Sequence, residues 1–368
     1  MTNLKISVGN FPYKPGFNPY QRLITDAIEN AEINVVRIPP RKWFPLQQAA
    51  AVSCDLLHLD WPHDFYSGRN FLTQQLKQWM YLRGLKHLSN KPLVWTAHNL
   101  VSHDSKSPVR EHRMIQKLIN RCQGIVVLSE ASRQMLLEHY SVPNLTQVKR
   151  IHHGHYIDCY PNTSNLENSR EKLQLGQEKF IFLCVGAIKP YKGHTELINA
   201  FCKAASSDDV LVIAGCGSKI LIDKLKRQIN DNRHNCQGEI RIVPSFVESD
   251  HFQFYFNAAN VTVLPFRQVL NSGSLLLSLS FGSPIIAPLA GSIPEIAMGD
   301  YFFGYKLSEN LDREVDNLAN AMRRAKNDLS QKNDMLLSRK QIIDFARNKY
   351  DWREAAKELK IWYLKLLS

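Results

Sequence analysis

The sequence predicts an α/β protein of two doubly wound parallel sheets, laid out one after the other with a cleft between them. Three observations carry this. Short apolar runs with β-branched residues alternate with helical patterns. The alternation lapses in one polar, turn-rich stretch, "CYPNTSNLENSREKLQLGQEK" from Cys159 on, and then restarts. A chain of 368 residues also exceeds what one hydrophobic core usually supports.

In the first half the strand signals are "LKISVG" (4–9), "INVVRI" (33–38), "DLLHLDW" (55–61), "PLVWTAH" (92–98), "GIVVLS" (124–129) and "QVKRIHH" (147–153). Helical patterns lie at 19–30, 69–88, 109–121 and 130–139. In the second half the strands are "KFIFLCVG" (179–186), "DVLVIAG" (209–215), "EIRIVP" (239–244), "VTVLPF" (261–266) and "SPIIAP" (283–288). Helices are predicted near 193–204, 218–231, 249–258, 273–281 and 311–328. The spans that follow are 1–160 for a first domain, 161–178 for a linker and 179–345 for a second domain. The last segment, 346–368 with "DWREAAKELKIWYLKLL", is an amphipathic helix expected to cross back to the first domain.

The composition is globular, with 44% hydrophobic and 22% charged residues and a net charge of +12. That charge favours anionic partners: nucleic acid, an acidic membrane face or phosphorylated small molecules. The seven cysteines are scattered without a C-x-x-C pair, which fits a reducing cytosol rather than a disulfide frame or a zinc site. The chain opens on a strand-like run, so no signal peptide is expected. The longest clean apolar run, "FIFLCVGAI" (180–188), is about half what a bilayer-spanning helix needs. The expected location is cytoplasmic, in solution or peripheral at the inner face of the membrane. A basic, partly aromatic segment, "RNFLTQQLKQWMYLRGLKH" (69–87), is a candidate for resting on an acidic leaflet.

In parallel sheets ligands sit beyond the carboxyl ends of the strands, and three features of the second half gather there. In "VGAIKPYKGH" (185–194), Gly186 ends a strand, and Lys189 and Lys192 flank a turn before Gly193 opens a helix. Two ammonium groups at a helix N-terminus make an anion site. In "FRQVLNSGSLLLSLSFGSP" (266–284), Ser272 or Asn271 caps a helix that starts near Gly273. The amides of Gly273, Ser274 and Leu275 would point outward to a phosphate, with Arg267 able to grip it bidentately. No acid stands in that first turn, so the helix dipole is left to a ligand. In "PLAGSIPEI" (288–296), Gly291 turns into a short helix, where Glu295 serves the helix dipole.

The first half offers histidines and carboxylates at strand ends instead. "HLDWPHD" holds His58, Asp60, Trp61, His63 and Asp64; "TAHNLVSHD" holds His98, His103 and Asp104; "IHHGHY" holds His152, His153 and His155. With rings nearby they suit a polar, ring-stacking substrate such as a sugar, and one His or Asp would deprotonate a hydroxyl. The loop "YKPGFNPYQRL" (13–23), with Gly16 and Asn18, is shaped for close approach to its backbone.

At this point the residues resemble a family, the two-domain GT-B glycosyltransferases and in particular the large retaining family numbered four. "VGAIKPYKGHTELINAF" is similar to its "VGRLxxxKGxxxLIxAF" segment, and "ANVTVLPFRQVLNSGSLLLSLSFGSPIIAPLAGSIPE" to its "ADVxVxPSxxEPFGxxxLEAMAxGxPVVAxxxGGxPE" segment. "IHHGHY" and "TAHN" resemble strand ends of its first domain. The resemblance implies two Rossmann-like domains, a nucleotide-sugar donor on the second and an acceptor on the first. Lys192 falls on the lysine that binds the donor diphosphate. Gly186, Lys189, Arg267, Ser272, Gly273 and Ser274 join it, with the base read by backbone near Ser245–Val247. Gly16, Asn18, Trp61 and His153 would meet the acceptor.

The departures are specific. The family's arginine after the glycine is Ala187, and its paired glutamates fall on or near Val269 and Leu277, neither acidic. Retention is therefore not carried over, and Asp60, His63 and His98 become candidate bases for an inverting reaction. The stretches "NPYQRL", "HLDWPH", "WTAHN", "YKG" and "SGS" also resemble a bacterial sub-group that builds exopolysaccharides. The expected function is a glycosyltransferase moving a sugar from a UDP- or GDP-linked donor to a saccharide or lipid-linked acceptor, with no cofactor, metal or nucleic acid. The alternatives are a nucleotide-sugar epimerase of the same fold, disfavoured by the lack of acid over 266–282, and a non-catalytic basic anion-binding module.

Overall fold

Strand runs that are apolar on consecutive residues fit sheets covered on both faces, and the computed structural model contains two such sheets. It describes residues 6–14, 16, 18–68, 70–88, 90–100, 107–296, 299–331 and 335–368. The chain divides into two compact units, Met1–Gly154 with Tyr350–Ser368, and His155–Lys349.

The first unit runs β1 (Ser7–Phe11), α1 (Tyr20–Asn30), β2 (Asn34–Arg37), α2 (Pro45–Ala51), β3 (Leu56–Leu59), a 3₁₀ turn at Pro62–Phe65, α3 (Phe71–His87), β4 (Leu93–Thr96), α4 (Pro108–Ile119), β5 (Gly124–Val127), α5 (Glu130–His139) and β6 (Gln147–Arg150). Its six strands are all parallel, in the order β2-β1-β3-β4-β5-β6. The strand order reverses between β1 and β3, so a crevice opens there beyond their carboxyl ends.

The second unit runs α6 (Leu166–Lys172), β7 (Phe180–Val185), a 3₁₀ turn at Pro190–Lys192, α7 (His194–Ala204), β8 (Asp209–Ala214), α8 (Lys219–Asp231), β9 (Glu239–Val243), α9 (Phe252–Ala258), β10 (Val261–Val263), α10 (Gly273–Ser280), β11 (Ile285–Pro288), α11 (Ile293–Ile296), β12 (Phe302–Tyr305), α12 (Leu311–Ser330) and α13 (Met335–Lys349). Its parallel sheet has the order β12-β11-β10-β7-β8-β9, with the reversal between β7 and β10. Along β7, Phe180, Phe182 and Cys184 enter one apolar cluster while Ile181, Leu183 and Val185 enter another, so both faces are core.

α14 (Trp352–Leu367) belongs to the first unit, where Trp352, Ala355, Ala356 and Leu359 pack with Ile24, Ile28 and Leu56. The stretch read as a linker differs from expectation. It contains α6, capped by Asn165, whose side chain accepts from the Asn168 amide at 2.9 Å. Buried Arg170 donates from that helix to the Ala258 carbonyl and to Asn260 Oδ1 at 3.1 and 3.0 Å, tying α6 into the second unit. β6 also ends at Arg150, so "IHHGHY" is loop rather than strand.

Candidate active site

In the first unit the crevice between β1 and β3 is lined by a buried polar chain. Asp60 directly follows β3 and is 1% exposed. Its Oδ1 lies 2.8 Å from Nε2 of His98, which stands just past the end of the neighbouring strand β4. Its Oδ2 accepts from Gln21 Nε2 at 2.9 Å, and that amide also donates to the Pro12 carbonyl at 2.7 Å. Burial works against a charge on Asp60, but the hydrogen bond from His98, the two nearby imidazoles and Gln21 together hold its pKa below the usual carboxylate range. An ionised Asp60 fixes the His98 tautomer: Nε2–H donates to the carboxylate, and Nδ1 carries the lone pair.

Rings surround this pair. Trp61 stacks on His98 with centroids 4.4 Å apart, and Tyr20 meets the same imidazole edge-on at 4.7 Å. His153 and Trp352 complete the group, each in ring contact with Tyr20 and with each other at 5.2 Å. The His153 Nδ1–H donates to the Gly154 carbonyl at 2.7 Å, and burial pushes the ring's pKa down to about 3. A histidine kept neutral below its ordinary value of 6.5 makes folding weaken as pH falls, because the unfolded chain takes up a proton that the native one refuses. Stability should therefore drop by about 1.4 kcal/mol per pH unit per such histidine, across the window from 6.5 towards 3. Asp60 joins only below the ordinary carboxylate range, so melting curves of wild type and His153→Phe should diverge between pH 6.5 and 4.5. Parallel curves there would sink the assignment.

The other histidines have structural partners. His58 bonds the Tyr363 hydroxyl through Nδ1 and Thr96 Oγ1 through Nε2 at 2.5 Å, bracing β3, β4 and α14. His63 sits on the 3₁₀ turn facing Asp64 at 3.6 Å rather than the Asp60–His98 pair. His152 Nε2 donates to the Asp351 carbonyl at 3.2 Å, and His155 Nδ1 accepts from the Ile157 amide at 3.2 Å. Asn18 precedes α1, its side chain accepting from the Tyr20 amide at 3.0 Å, and Gly16 is exposed. His103 and Asp104 lie outside the described residues. Gln21 was not legible as a partner of Asp60: nothing local in "NPYQRL" signals a bond to a residue so distant in sequence.

In the second unit the corresponding crevice lies between β7 and β10. Gly186 directly follows β7, and the loop it opens reaches Gly193, which adopts φ +66 at the start of α7. A Cβ on Gly193 would stand 2.0 Å from the Pro265 carbonyl oxygen, so glycine lets this loop lie against the one that follows β10. The Arg267 amide donates to the Tyr191 carbonyl at 2.9 Å and locks the two loops together. Lys192 is held in this junction, its Nζ 5.6 Å from the Phe266 ring centroid and 3.4 Å from where a Gly186 Cβ would be. Burial lowers its pKa, and among the described residues no carboxylate pairs with it. Next to it, burial with the Lys192 charge pushes the His194 ring down to about 4.

α10 begins on the far side of the same crevice. The Ser272 hydroxyl accepts from the Leu275 amide at 3.1 Å, so two outward amides remain, on Gly273 and Ser274, rather than the three expected. The Tyr156 hydroxyl stands 3.3 Å from where a Gly273 Cβ would be, a neighbour the sequence did not announce. Among the described residues, no three or more His, Cys, Asp or Glu come together as a metal-ligand set.

Residues 179–328 match the family described as Glycosyl transferases group 1, and residues 36–158 match Glycosyltransferase Family 4. The chain is a family 4-like GT-B glycosyltransferase. Over 288 residues it is 28% identical to the GDP-mannose:glycolipid 4-beta-D-mannosyltransferase of Xanthomonas campestris pv. campestris, covering 76% of this chain and 72% of that protein. Its fold is similar to that of sucrose-phosphate synthase from Thermosynechococcus elongatus (TM-score 0.71, 16% identity, 98% of this chain and 99% of that one). It is also similar to Anabaena HepE in complex with UDP and glucose (TM-score 0.71, 15% identity, 98% and 100% of the two chains).

One expectation about this glycosyltransferase changes. Arg267 was read as a phosphate grip, but its guanidinium sits between Glu196 at 3.5 Å and buried Glu314 at 3.4 Å. Those carboxylates, far from it in sequence, already satisfy the charge. Val247 is 8% exposed, its side chain packed in an apolar cluster with Tyr255, Phe256 and Phe281. Leu277 of the transferase packs against that same cluster. At this position, on or near which the resemblance places an acid, a partly buried apolar side chain stands instead.

Proposed function

We propose that this transferase moves a sugar from a nucleoside-diphosphate donor to a lipid-linked saccharide, with inversion at the anomeric carbon. The observation that carries the reading is Lys192: a largely enclosed ammonium without a carboxylate partner, at the strand-order reversal of the second unit. An unpaired buried cation is costly unless an anion arrives to share its site. The amides of Gly273 and Ser274, at the positive end of α10, add donors for phosphate oxygens. The Xanthomonas relative is named for GDP-mannose and a glycolipid, and HepE for UDP and glucose, which supports a nucleotide-linked donor and a glycolipid acceptor.

For the chemistry, the first unit would supply the base and the second the leaving-group site. The acceptor oxygen bonds to the anomeric carbon as that carbon's bond to the diphosphate breaks. The hydroxyl proton passes to His98 Nδ1, and Asp60 stabilises the imidazolium that results. The diphosphate leaves with its charge held by Lys192 and α10. An α-linked donor gives a β-linked product, and the relative's name carries a β linkage. Partly buried Trp61 offers a ring on which an acceptor sugar packs.

Thermal-shift titration with GDP, UDP and ADP tests the donor half without any acceptor. One diphosphate should raise the melting temperature, and Lys192→Met, which keeps the apolar stem, should weaken that ligand roughly tenfold to a hundredfold, the loss of one charge-assisted contact. If no nucleotide shifts the wild type, or the variant binds equally well, the proposal fails.

A further inference from the structure

Helix α3 is apolar on both of its faces. Its inner face buries Met80, Tyr81, Gly84 and Leu85 in the first unit. Leu72, Leu76, Trp79, Arg83 and Lys86 recur at intervals of three and four, which puts them in one stripe spanning roughly 80° of the helix. That stripe is open: Leu72 is 77% exposed, Leu76 44% and Trp79 52%. A solvated helix face ordinarily carries polar residues.

The stripe extends beyond the helix. Phe44 meets Trp79 edge-on at 6.2 Å, and Trp43 and Phe71 are more than half exposed. Cations stand over these rings: Lys42 at 5.6 Å from Trp43, Arg83 at 5.5 Å from Trp79 and Arg110 at 5.4 Å from Phe71. The sequence has no acid between Glu32 and Asp55, and none between Asp64 and Asp104. The two stretches that carry the rings, 33–54 and 65–103, therefore present aromatic and aliphatic side chains and positive charge without a carboxylate of their own.

We infer that this face docks on an anionic lipid bilayer, with α3 lying in the interfacial plane. Interfacial helices bury Trp and Leu at the headgroup boundary and leave Lys and Arg at the level of the phosphates. Among the described residues no helix is long and apolar enough to cross a membrane, so the attachment is by surface. Neither part suffices alone: a short apolar stripe gives marginal binding, and basic side chains supply the second signal. The inference is independent of the proposed chemistry, since none of these residues belongs to the donor or acceptor sites.

Co-sedimentation of the full chain with phosphatidylglycerol–phosphatidylcholine vesicles, against phosphatidylcholine alone, tests it. Binding should require the anionic lipid and fall as salt is raised. Trp79→Ser with Leu76→Ser, and separately Arg83→Glu with Lys86→Glu, should each reduce partitioning about tenfold or more. All four side chains are exposed, and a retained nucleotide-induced thermal shift would report an intact second unit. Three results would overturn the inference: equal binding to neutral vesicles, unchanged binding by both double variants, or variants that turn a wild-type dimer into a monomer without altering sedimentation with vesicles. The last would make the stripe an interface between two copies of the chain.

Discussion

Asp60→Asn is expected to lower kcat by about a hundredfold to ten-thousandfold while leaving nucleotide affinity unchanged, the range lost when a base or its orienting carboxylate is removed. The substituted amide is nearly isosteric, and its oxygen still accepts from Gln21, whose amide donates to Oδ2 at 2.9 Å in the native protein. Its nitrogen, however, would face His98 Nε2, 2.8 Å from the native Oδ1. Two donors cannot share that contact, so the imidazole would move its proton to Nδ1 and present the wrong nitrogen to the acceptor hydroxyl. His98→Gln should cost about as much. The double variant should cost little more than the worse single one, because the two side chains act as one unit. Initial rates with a lipid-linked acceptor, together with the anomeric configuration of the product by NMR, check the prediction. A rate within threefold of wild type for either variant, or a retained anomeric configuration, would end the assignment of this pair as an inverting base.

The pair was legible as candidates because a parallel sheet delivers every strand end to one side, so "HLDW" and "TAHN" had to be near one another once their strands were adjacent. Their separation from His63 was not legible. His63 follows β3 by only a few residues, but a 3₁₀ turn carries it away to Asp64. The same limit applied to Arg267: the motif shows an arginine after a strand, while Glu196 and Glu314 come from α7 and α12. In the fold, strands with continuous apolar runs were readable, whereas β12, "FFGY", has a glycine in a run of only four residues. α6 reads as linker because its sequence, "LENSREK", is almost wholly polar. Its anchor is the buried Arg170, whose bonds go to carbonyls and an asparagine remote in sequence. Long-range partners of polar side chains are the common element in what the sequence concealed.

Gly193→Ala is expected to destabilise the second unit by about 3 kcal/mol or more, since it combines left-handed strain with a backbone collision. The alanine Cβ would fall 2.0 Å from the Pro265 carbonyl oxygen, at a residue whose φ is +66. Neither atom belongs to a flexible side chain, so the loop after β7 must separate from the loop after β10. That separation strains the Arg267 amide to Tyr191 carbonyl bond of 2.9 Å and moves Lys192 away from Gly186. Stability and donor binding should therefore fall together, with a drop in melting temperature of roughly 6–12 °C for a unit of this size. Lys192→Met offers the contrast, since it removes the charge without moving the backbone and should weaken donor binding with little change in melting temperature. If Gly193→Ala melts within about 2 °C of wild type, the close approach of the two loops is not what holds Lys192 in place. If it melts early yet binds the nucleotide as tightly as wild type, the ammonium is not positioned by that junction.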